Sequence, residues 1–123
     1  MIAKNISGRL GEEYAAKHLR QNGYHILCRN YKTKIAEVDI IAADGNTLCF
    51  IEVKTRKSKS FGTASEAVDF HKREKIILGA RCYLTSKPRY SNYRFDVVEV
   101  YGRIGDAGFS VEEINIIKNA FEA

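Results

Sequence analysis

The sequence predicts an α/β fold with a mixed sheet, and three observations support this class. A helical pattern opens the chain, two strand-like runs joined by a turn follow it, and a second helical pattern precedes a further strand. Because a helix separates the paired runs from the later strand, that strand can lie parallel to an earlier one. With 123 residues the chain is expected to be a single domain, residues 1–123, large enough to bury a core.

The first predicted helix runs from Ser7 to Gln21, and Asn22-Gly23 is a typical stop signal for its C-terminus. A strand over Tyr24–Tyr31 follows, with Ile26 and Cys28 expected on one face. The later elements are predicted from the same patterns: a capping box at Thr63–Glu66, a helix over Lys72–Leu84, and strands over Tyr93–Tyr101 and Phe109–Ile114.

Between these elements lies a predicted hairpin. Its two strands, Glu37–Ala43 and Thr47–Arg56, are rich in β-branched and aromatic residues, and Asp44-Gly45-Asn46 between them is a strong turn signal. Side chains alternate between the faces of a strand, so Glu52 and Lys54 are expected to share one face. The hairpin therefore carries charge inside an otherwise apolar pattern.

The partner strand carries charge in the same way, because Glu37 and Asp39 share one of its faces. The turn length places Asp39 directly opposite Glu52 or one diagonal step away. Two facing carboxylates repel each other unless a positive group lies between them. A divalent metal ion and the ammonium of Lys54 are the two candidates, and an ordinary cross-strand salt bridge is the structural alternative.

The first helix carries another unexpected acid. Glu12 lies in the middle of a face of small and apolar residues, comprising Gly8, Gly11, Ala15, Ala16 and Leu19. Since a buried carboxylate without a partner is costly, Glu12 should meet a metal ion, Lys54 or a helix-capping amide. The alternative is a glutamate favoured near a helix N-terminus by the helix dipole.

The net charge of +5 is concentrated in one segment. Residues 54–94 contain 11 Lys and Arg against 3 Asp and Glu, a net charge of +8, whereas residues 95–123 have a net charge of −4. A polyanion such as nucleic acid is the natural partner of such a segment. A solvated basic surface is the alternative.

The apolar runs and the cysteine pattern of the sequence predict a cytoplasmic protein. The N-terminus has no apolar run typical of a signal peptide, and no run approaches the roughly 20 apolar residues that span a bilayer. Three cysteines without a CxxC pair, Cys28, Cys49 and Cys82, favour reduced thiols over a zinc site or a disulfide framework.

Over almost its whole length the chain resembles the YraN family of bacterial proteins, which is related to the Holliday-junction resolvases of the restriction-endonuclease-like superfamily. The resemblance rests on several motifs taken jointly: Gly8-Arg9-Leu10-Gly11-Glu12, Asn30-Tyr31, Glu37-Val38-Asp39-Ile40-Ile41, Phe50-Ile51-Glu52-Val53-Lys54-Thr55-Arg56, Phe61-Gly62, Glu66-Ala67-Val68, Lys72, Arg94-Phe95-Asp96-Val97-Val98 and Asn119-Ala120-Phe121. Ala36 stands where the family usually has glycine, and Ala64-Ser65 stands where a proline is common.

This resemblance implies a restriction-endonuclease-like fold, a three-layer α/β/α structure with a central mixed sheet. It implies that Asp39, Glu52 and Lys54 correspond to an Asp…Glu-x-Lys catalytic core, with Glu12 as the helix-borne acid. A hard cation, Mg²⁺ or Mn²⁺, would be bound by Glu12, Asp39, Glu52 and the main-chain carbonyl of Val53.

The function expected on these grounds is the metal-dependent cleavage of structured or branched DNA. A non-catalytic nucleic-acid-binding module and a purely structural interaction domain are the alternatives, and a homodimer is left open. The residues predicted to contact the nucleic-acid backbone are all basic: Arg56, Lys57, Lys59, Lys72, Arg73 and Lys75.

Overall fold

The computed structural model describes residues 2–57, 70–86 and 92–123, which include two helices and five strands. Helix α1 spans Ile2–Gln21 and helix α2 spans Phe70–Ser86. The strands, in chain order, are β1 (His25–Lys32), β2 (Glu37–Asp44), β3 (Thr47–Arg56), β4 (Asn92–Gly105) and β5 (Gly108–Phe121).

The five strands form one sheet in the order β1-β2-β3-β4-β5. Neighbouring strands are antiparallel except for β3 and β4, which are parallel. Parallel neighbours need a crossover connection, and α2 lies on that connection between β3 and β4. The predicted α/β class and mixed sheet are confirmed.

The two helices cover opposite faces of the sheet, each over its own apolar cluster. Ala15, Ala16 and Leu19 of α1 pack with residues such as Ile40 and Ile51 on one face. On the other face α2 packs over the buried residues Val38, Ile41, Leu48, Phe50, Ile76, Ala80, Phe95, Val97 and Phe121. The result is three layers with helix on each side of a central sheet, as the resemblance implied.

Each helix approaches the sheet closely at one glycine. A Cβ atom on Gly11 of α1 would overlap Thr55 Oγ1 in β3. A Cβ atom on Gly79 of α2 would lie 2.6 Å from Val38 Cγ2 in β2. Both helices are therefore held against the sheet where a larger residue would push them away.

The central hairpin agrees with prediction most closely. Strand β3 begins and ends at the predicted residues, Thr47 and Arg56. Asp44 pairs with Thr47 across a two-residue loop, and Gly45 has a φ of 61°, which the turn requires.

Strand β1 differs from prediction in the side chains it buries. The β1–β2 register shifts between Ile26 and Cys28, so that these two residues contact apolar clusters on opposite faces of the sheet. The expectation that they share a face is wrong. An extra residue in a strand reverses the alternation beyond it, and nothing local in this segment signals the bulge.

Four other elements extend further than predicted. Helix α1 begins at Ile2, α2 extends to Phe70 and Ser86, and β4 and β5 form a hairpin that reaches Gly105 and Gly108. Polar residues in the last part of this hairpin interrupt the alternation of apolar and polar side chains, so the sequence pattern does not predict the full length of the strands. The predicted capping box at Thr63–Glu66 lies outside the described residues.

Candidate active site

The candidate site begins where β2 and β3 stop pairing. Their ladder ends at the pair Ile40–Ile51, so the next residues, Asp39 and Glu52, are not paired in it. Beyond this last pair a side chain connects the two strands: the Asp39 Oδ2 accepts a 2.8 Å hydrogen bond from the Val53 N–H. This contact fixes the Asp39 carboxylate beside the Glu52-Val53-Lys54 segment.

Glu52 is buried with only 3% of its surface exposed, although it is an acid. Its Oε1 lies 3.6 Å from Lys54 Nζ and 3.7 Å from Lys72 Nζ. Its Oε2 is buried and has no hydrogen-bond partner among the described residues. A buried carboxylate oxygen without a partner is energetically costly and is rare in folded proteins.

Burial raises the pKa values of both acids, and the charge of Asp39 contributes to the shift at Glu52. Burial first, and then the charge of Asp39, raise the pKa of Glu52 to about 7, against the opposing charges of Lys72 and Lys54. Burial also raises the pKa of Asp39, and the hydrogen bond from Val53 opposes that effect. Two close carboxylates that resist ionising together form a site where an added cation would be stabilising.

Lys72 was predicted to contact nucleic acid, and in the structure it lies among the acids. Its Nζ is 3.0 Å from Glu37 Oε1, and this contact lowers the pKa of Glu37. Although burial lowers the pKa of Lys72, the carboxylates of Glu52 and Glu37 raise it overall. Lys72 therefore joins the start of α2 to the end of the hairpin that carries the acids.

Glu12 approaches the same region from α1. Burial, and next the charge of Asp39, raise the pKa of Glu12, so the two carboxylates are close enough to interact. The preceding residue, Gly11, is the one that allows α1 to lie against Thr55 of β3. The close helix contact thus brings Glu12 to the site.

A hard cation suits the donor atoms that meet here. Asp39 and Glu52 provide carboxylate oxygens, and the unpartnered Glu52 Oε2 offers one that nothing else among the described residues engages. Among the described residues no group of three or more His, Cys, Asp or Glu could by itself hold a metal. The arrangement fits Mg²⁺ or Mn²⁺, which commonly bind to one or two carboxylates and complete their shell with water and substrate oxygens.

The other predicted basic residues are spread around this region. Arg56 and Lys57 are exposed at the end of β3, and Lys75 is exposed on α2, where its charge helps to lower the pKa of Glu37. Arg73 lies over the Phe121 ring at 5.5 Å, so part of its surface is occupied by β5. Lys59 lies outside the described residues.

Asp96 belongs to a separate network at the turn end of the sheet. It is fully buried, and it accepts hydrogen bonds from Arg94 Nε, Tyr24 Oη and the Asn119 N–H. Arg94 also donates to Asp44 at 2.7 Å. The Asp96 carboxylate is therefore not solvated, and its hydrogen bonds join β4 to Tyr24 and to β5.

Sequence reasoning missed one buried acid near the site. Glu99 of β4 is 3% exposed and is the register partner of Lys54 in the parallel pair β3–β4. It accepts hydrogen bonds from Tyr101 Oη at 3.0 Å and Asn115 Nδ2 at 3.1 Å. A charge inside the apolar run Val97-Val98-Glu99-Val100 was the signal that could have revealed it.

Two expectations about the whole chain can be compared with the structure. No helix within the described residues is long and apolar enough to cross a membrane. Cys28, Cys49 and Cys82 are free thiols, and burial raises the pKa of Cys49 to about 12.

Comparison with known proteins assigns the chain to a family. Residues 11–100 match the model of the uncharacterised protein family UPF0102. A UPF0102 protein of Caldanaerobacter subterraneus is 45% identical over 122 residues, 98% of each chain, and one of Caldicellulosiruptor saccharolyticus is 47% identical over 119 residues, 96% of this chain and 98% of the relative. The chain belongs to the UPF0102 family, to which the YraN resemblance pointed.

Proposed function

We propose that this UPF0102 protein is a metal-dependent nuclease that hydrolyses phosphodiester bonds in structured or branched DNA. The observation that carries the proposal is the buried, unpartnered Oε2 of Glu52 beside the Asp39 carboxylate. Folding places this acid in a costly environment, which is expected of a site that acts on a ligand.

In this proposal Asp39 and Glu52, with the main-chain carbonyl of Val53, hold Mg²⁺ or Mn²⁺. A bound ion of this kind supplies Lewis acidity to a phosphate and lowers the pKa of coordinated water. Asp39 is held for this role by its bond to the Val53 N–H, which limits its side-chain rotation. Glu12 would orient water from the side of α1.

Lys54 is the residue proposed to act on the reacting phosphate. Its ammonium is held 3.6 Å from Glu52 Oε1, and its side chain is largely buried. From this position it would orient the attacking water and offset the negative charge that develops on the phosphate. Lys72, which is paired with Glu37 and Glu52, would keep the acids ionised and α2 in place.

One observation favours the alternative of a non-catalytic nucleic-acid-binding domain. Lys54 and Lys72 both lie near Glu52 Oε1, so two ammonium groups already supply positive charge to the acids. In that case the charged cluster would stabilise the fold, and the basic surface would bind DNA without cleaving it.

Metal binding and cleavage, measured together, test the proposal. Purified protein is titrated with Mn²⁺ in a calorimeter and incubated with labelled junction, flap and linear DNA with and without Mg²⁺ or Mn²⁺. We expect one ion to bind, cleavage of at least one substrate, and loss of both in Asp39→Asn and Glu52→Gln. Asp106→Asn, an exposed turn acid, is the matched control and should change neither.

The alternative predicts a different result in the same experiment. Tight, salt-sensitive DNA binding with no cleavage and no Mn²⁺ binding would overturn the nuclease proposal. Cleavage that persists in Asp39→Asn would show that the activity does not come from this site.

A further inference from the structure

A cavity of about 600 Å³ opens between α1 and β1 beside the candidate site. Six residues line it: Arg9, Leu10, Glu12, Glu13, Arg29 and Asn30. Glu12 is the only one of these to which the proposed nuclease site gives a role. Glu12 therefore lies both on this cavity and within reach of the Asp39 charge.

Arg29 brings to this cavity a buried donor without a partner among the described residues. Its Nη1 donates a 2.9 Å hydrogen bond to Glu13 Oε1, while its Nε is buried without a hydrogen-bond partner among the described residues. An arginine has five N–H donors in a fixed fork. The Glu13 side chain is 64% exposed, so this ion pair lies largely in water, where such pairs contribute little to stability.

The position of Arg29 relates it to the candidate active site. In the β1–β2 ladder it pairs with Ile40, the residue next to Asp39. Asn30, the following residue, has a left-handed φ of 54° at the point where β1 passes Asp39. Among the charges that act on the pKa of Glu12, Arg29 lowers it and Asp39 raises it, so Glu12 lies within reach of both.

We propose that this cavity is a second phosphate subsite, in which Arg29 exchanges Glu13 for a phosphodiester next to the one at Asp39 and Glu52. This inference rests on the proposed function, since it assigns a neighbouring phosphate of the same nucleic-acid strand. The guanidinium fork matches a phosphate with two parallel hydrogen bonds. Such a contact positions the strand without reading its sequence.

Two features of the cavity suit this exchange. Arg9 is exposed at its edge and supplies a second positive charge. Glu13 competes with the phosphate for Arg29, so removing the Glu13 charge should strengthen nucleic-acid binding. A merely structural ion pair would give the opposite result or none.

The test measures DNA binding in EDTA, where cleavage does not interfere. Fluorescence anisotropy of labelled duplex DNA is recorded over a range of salt concentrations for Arg29→Gln, Glu13→Gln and the double variant. Arg29→Gln should weaken binding about tenfold and reduce the log–log salt slope by about 0.9. Glu13→Gln should tighten binding severalfold, and it should have no effect in the Arg29→Gln background.

A matched pair elsewhere in the chain controls for net charge. Arg103 and Glu112 on the β4–β5 hairpin form an exposed ion pair at 3.0 Å. Arg103→Gln and Glu112→Gln make the same changes of charge away from the cavity and should have much smaller effects. Equal effects of Arg29→Gln and Arg103→Gln, or of Glu13→Gln and Glu112→Gln, would overturn the subsite.

The conservative variant and the folding state complete the test. Arg29→Lys keeps the charge but not the fork, so it should retain the salt slope and lose part of the affinity. If Arg29→Gln fails to fold, Glu13→Gln alone decides the question, because its side chain is exposed. Loss of Mn²⁺-dependent cleavage in Asp39→Asn with wild-type binding by Arg29→Gln would reject the subsite and leave the nuclease proposal standing.

Discussion

The carboxylate of Asp39 accepts a hydrogen bond from the main-chain N–H of Val53, at the point where their two strands stop pairing. This side-chain bond connects the two strands where main-chain pairing has ended, and it holds the Asp39 carboxylate beside Glu52. The contact serves the fold, because it satisfies a main-chain donor, and it positions the charge that adds to the effect of burial in raising the pKa of Glu52. Substitutions at Asp39 can separate these two contributions.

Asp39→Asn keeps an oxygen that can accept the Val53 N–H, whereas Asp39→Ala leaves that donor without its partner. We expect Asp39→Ala to lower the free energy of unfolding by about 1–3 kcal/mol and Asp39→Asn to lower it by less than about 1 kcal/mol. Both remove the charge, so both should abolish Mn²⁺ binding. Urea unfolding and calorimetry check the two effects. Equal destabilisation by both variants would show that the bond to Val53 does not stabilise the fold.

The raised pKa of Glu52 predicts how stability depends on pH in the absence of divalent ions. The unfolded chain releases the Glu52 proton near pH 4.5, and the folded protein holds it to about pH 7. The folded state therefore binds more protons in this window, and the free energy of unfolding should fall as pH rises through it, by an amount on the order of 3 kcal/mol. Denaturant unfolding in EDTA between these pH values measures the slope.

Glu52→Gln isolates that contribution. Because glutamine does not titrate, most of the decrease in stability between these pH values should disappear in this variant. Glu112→Gln, which changes an exposed acid on the hairpin, is the control and should retain the wild-type dependence. A wild-type slope in Glu52→Gln would assign the effect to other groups.

The two lysines near Glu52 are expected to differ in function. Lys54→Ala should reduce turnover about 10²–10³-fold by loss of transition-state charge stabilisation, on the order of 3–4 kcal/mol. Lys72→Ala removes the ion pairs to Glu37 and Glu52, so it should raise the pKa of Glu52 and lower the melting temperature. Steady-state kinetics and thermal unfolding, measured on both variants, distinguish them. Unchanged stability in Lys72→Ala would contradict its assignment to the acid cluster.

The parts of the fold that depend on local sequence could be predicted. The hairpin was found because β-branched residues, alternation and the Asp44-Gly45-Asn46 turn all lie within a short segment, and β3 agreed to the residue. The same turn predicted that Asp39 lies near Glu52 and Lys54, and the bond from Val53 to Asp39 agrees with this, although the ladder itself ends at Ile40–Ile51.

The parts that depend on long-range packing could not be predicted. The ladder ends at Ile40–Ile51 because the two strands diverge there. The alternation of side chains along a strand does not indicate where two strands separate. The contacts of Lys72 depend on where α2 crosses the sheet. Lys72 was therefore predicted to belong to a basic surface, whereas it pairs with Glu37 and Glu52. Basic composition alone does not show which charges face a ligand and which face buried acids.

The final prediction concerns how α1 reaches the site. Gly11→Ala should lower the free energy of unfolding by about 1–3 kcal/mol, because the added methyl group overlaps Thr55 Oγ1 and displaces α1 from β3. Gly8→Ala, one helical turn earlier on α1, has open space around its Cβ position and should stabilise the protein by roughly 0.5–1 kcal/mol. Urea unfolding of both variants tests this difference. Since Glu12 follows Gly11, the displacement should also weaken DNA cleavage in Gly11→Ala but not in Gly8→Ala, and equal cleavage by the two would remove Glu12 from the proposed site.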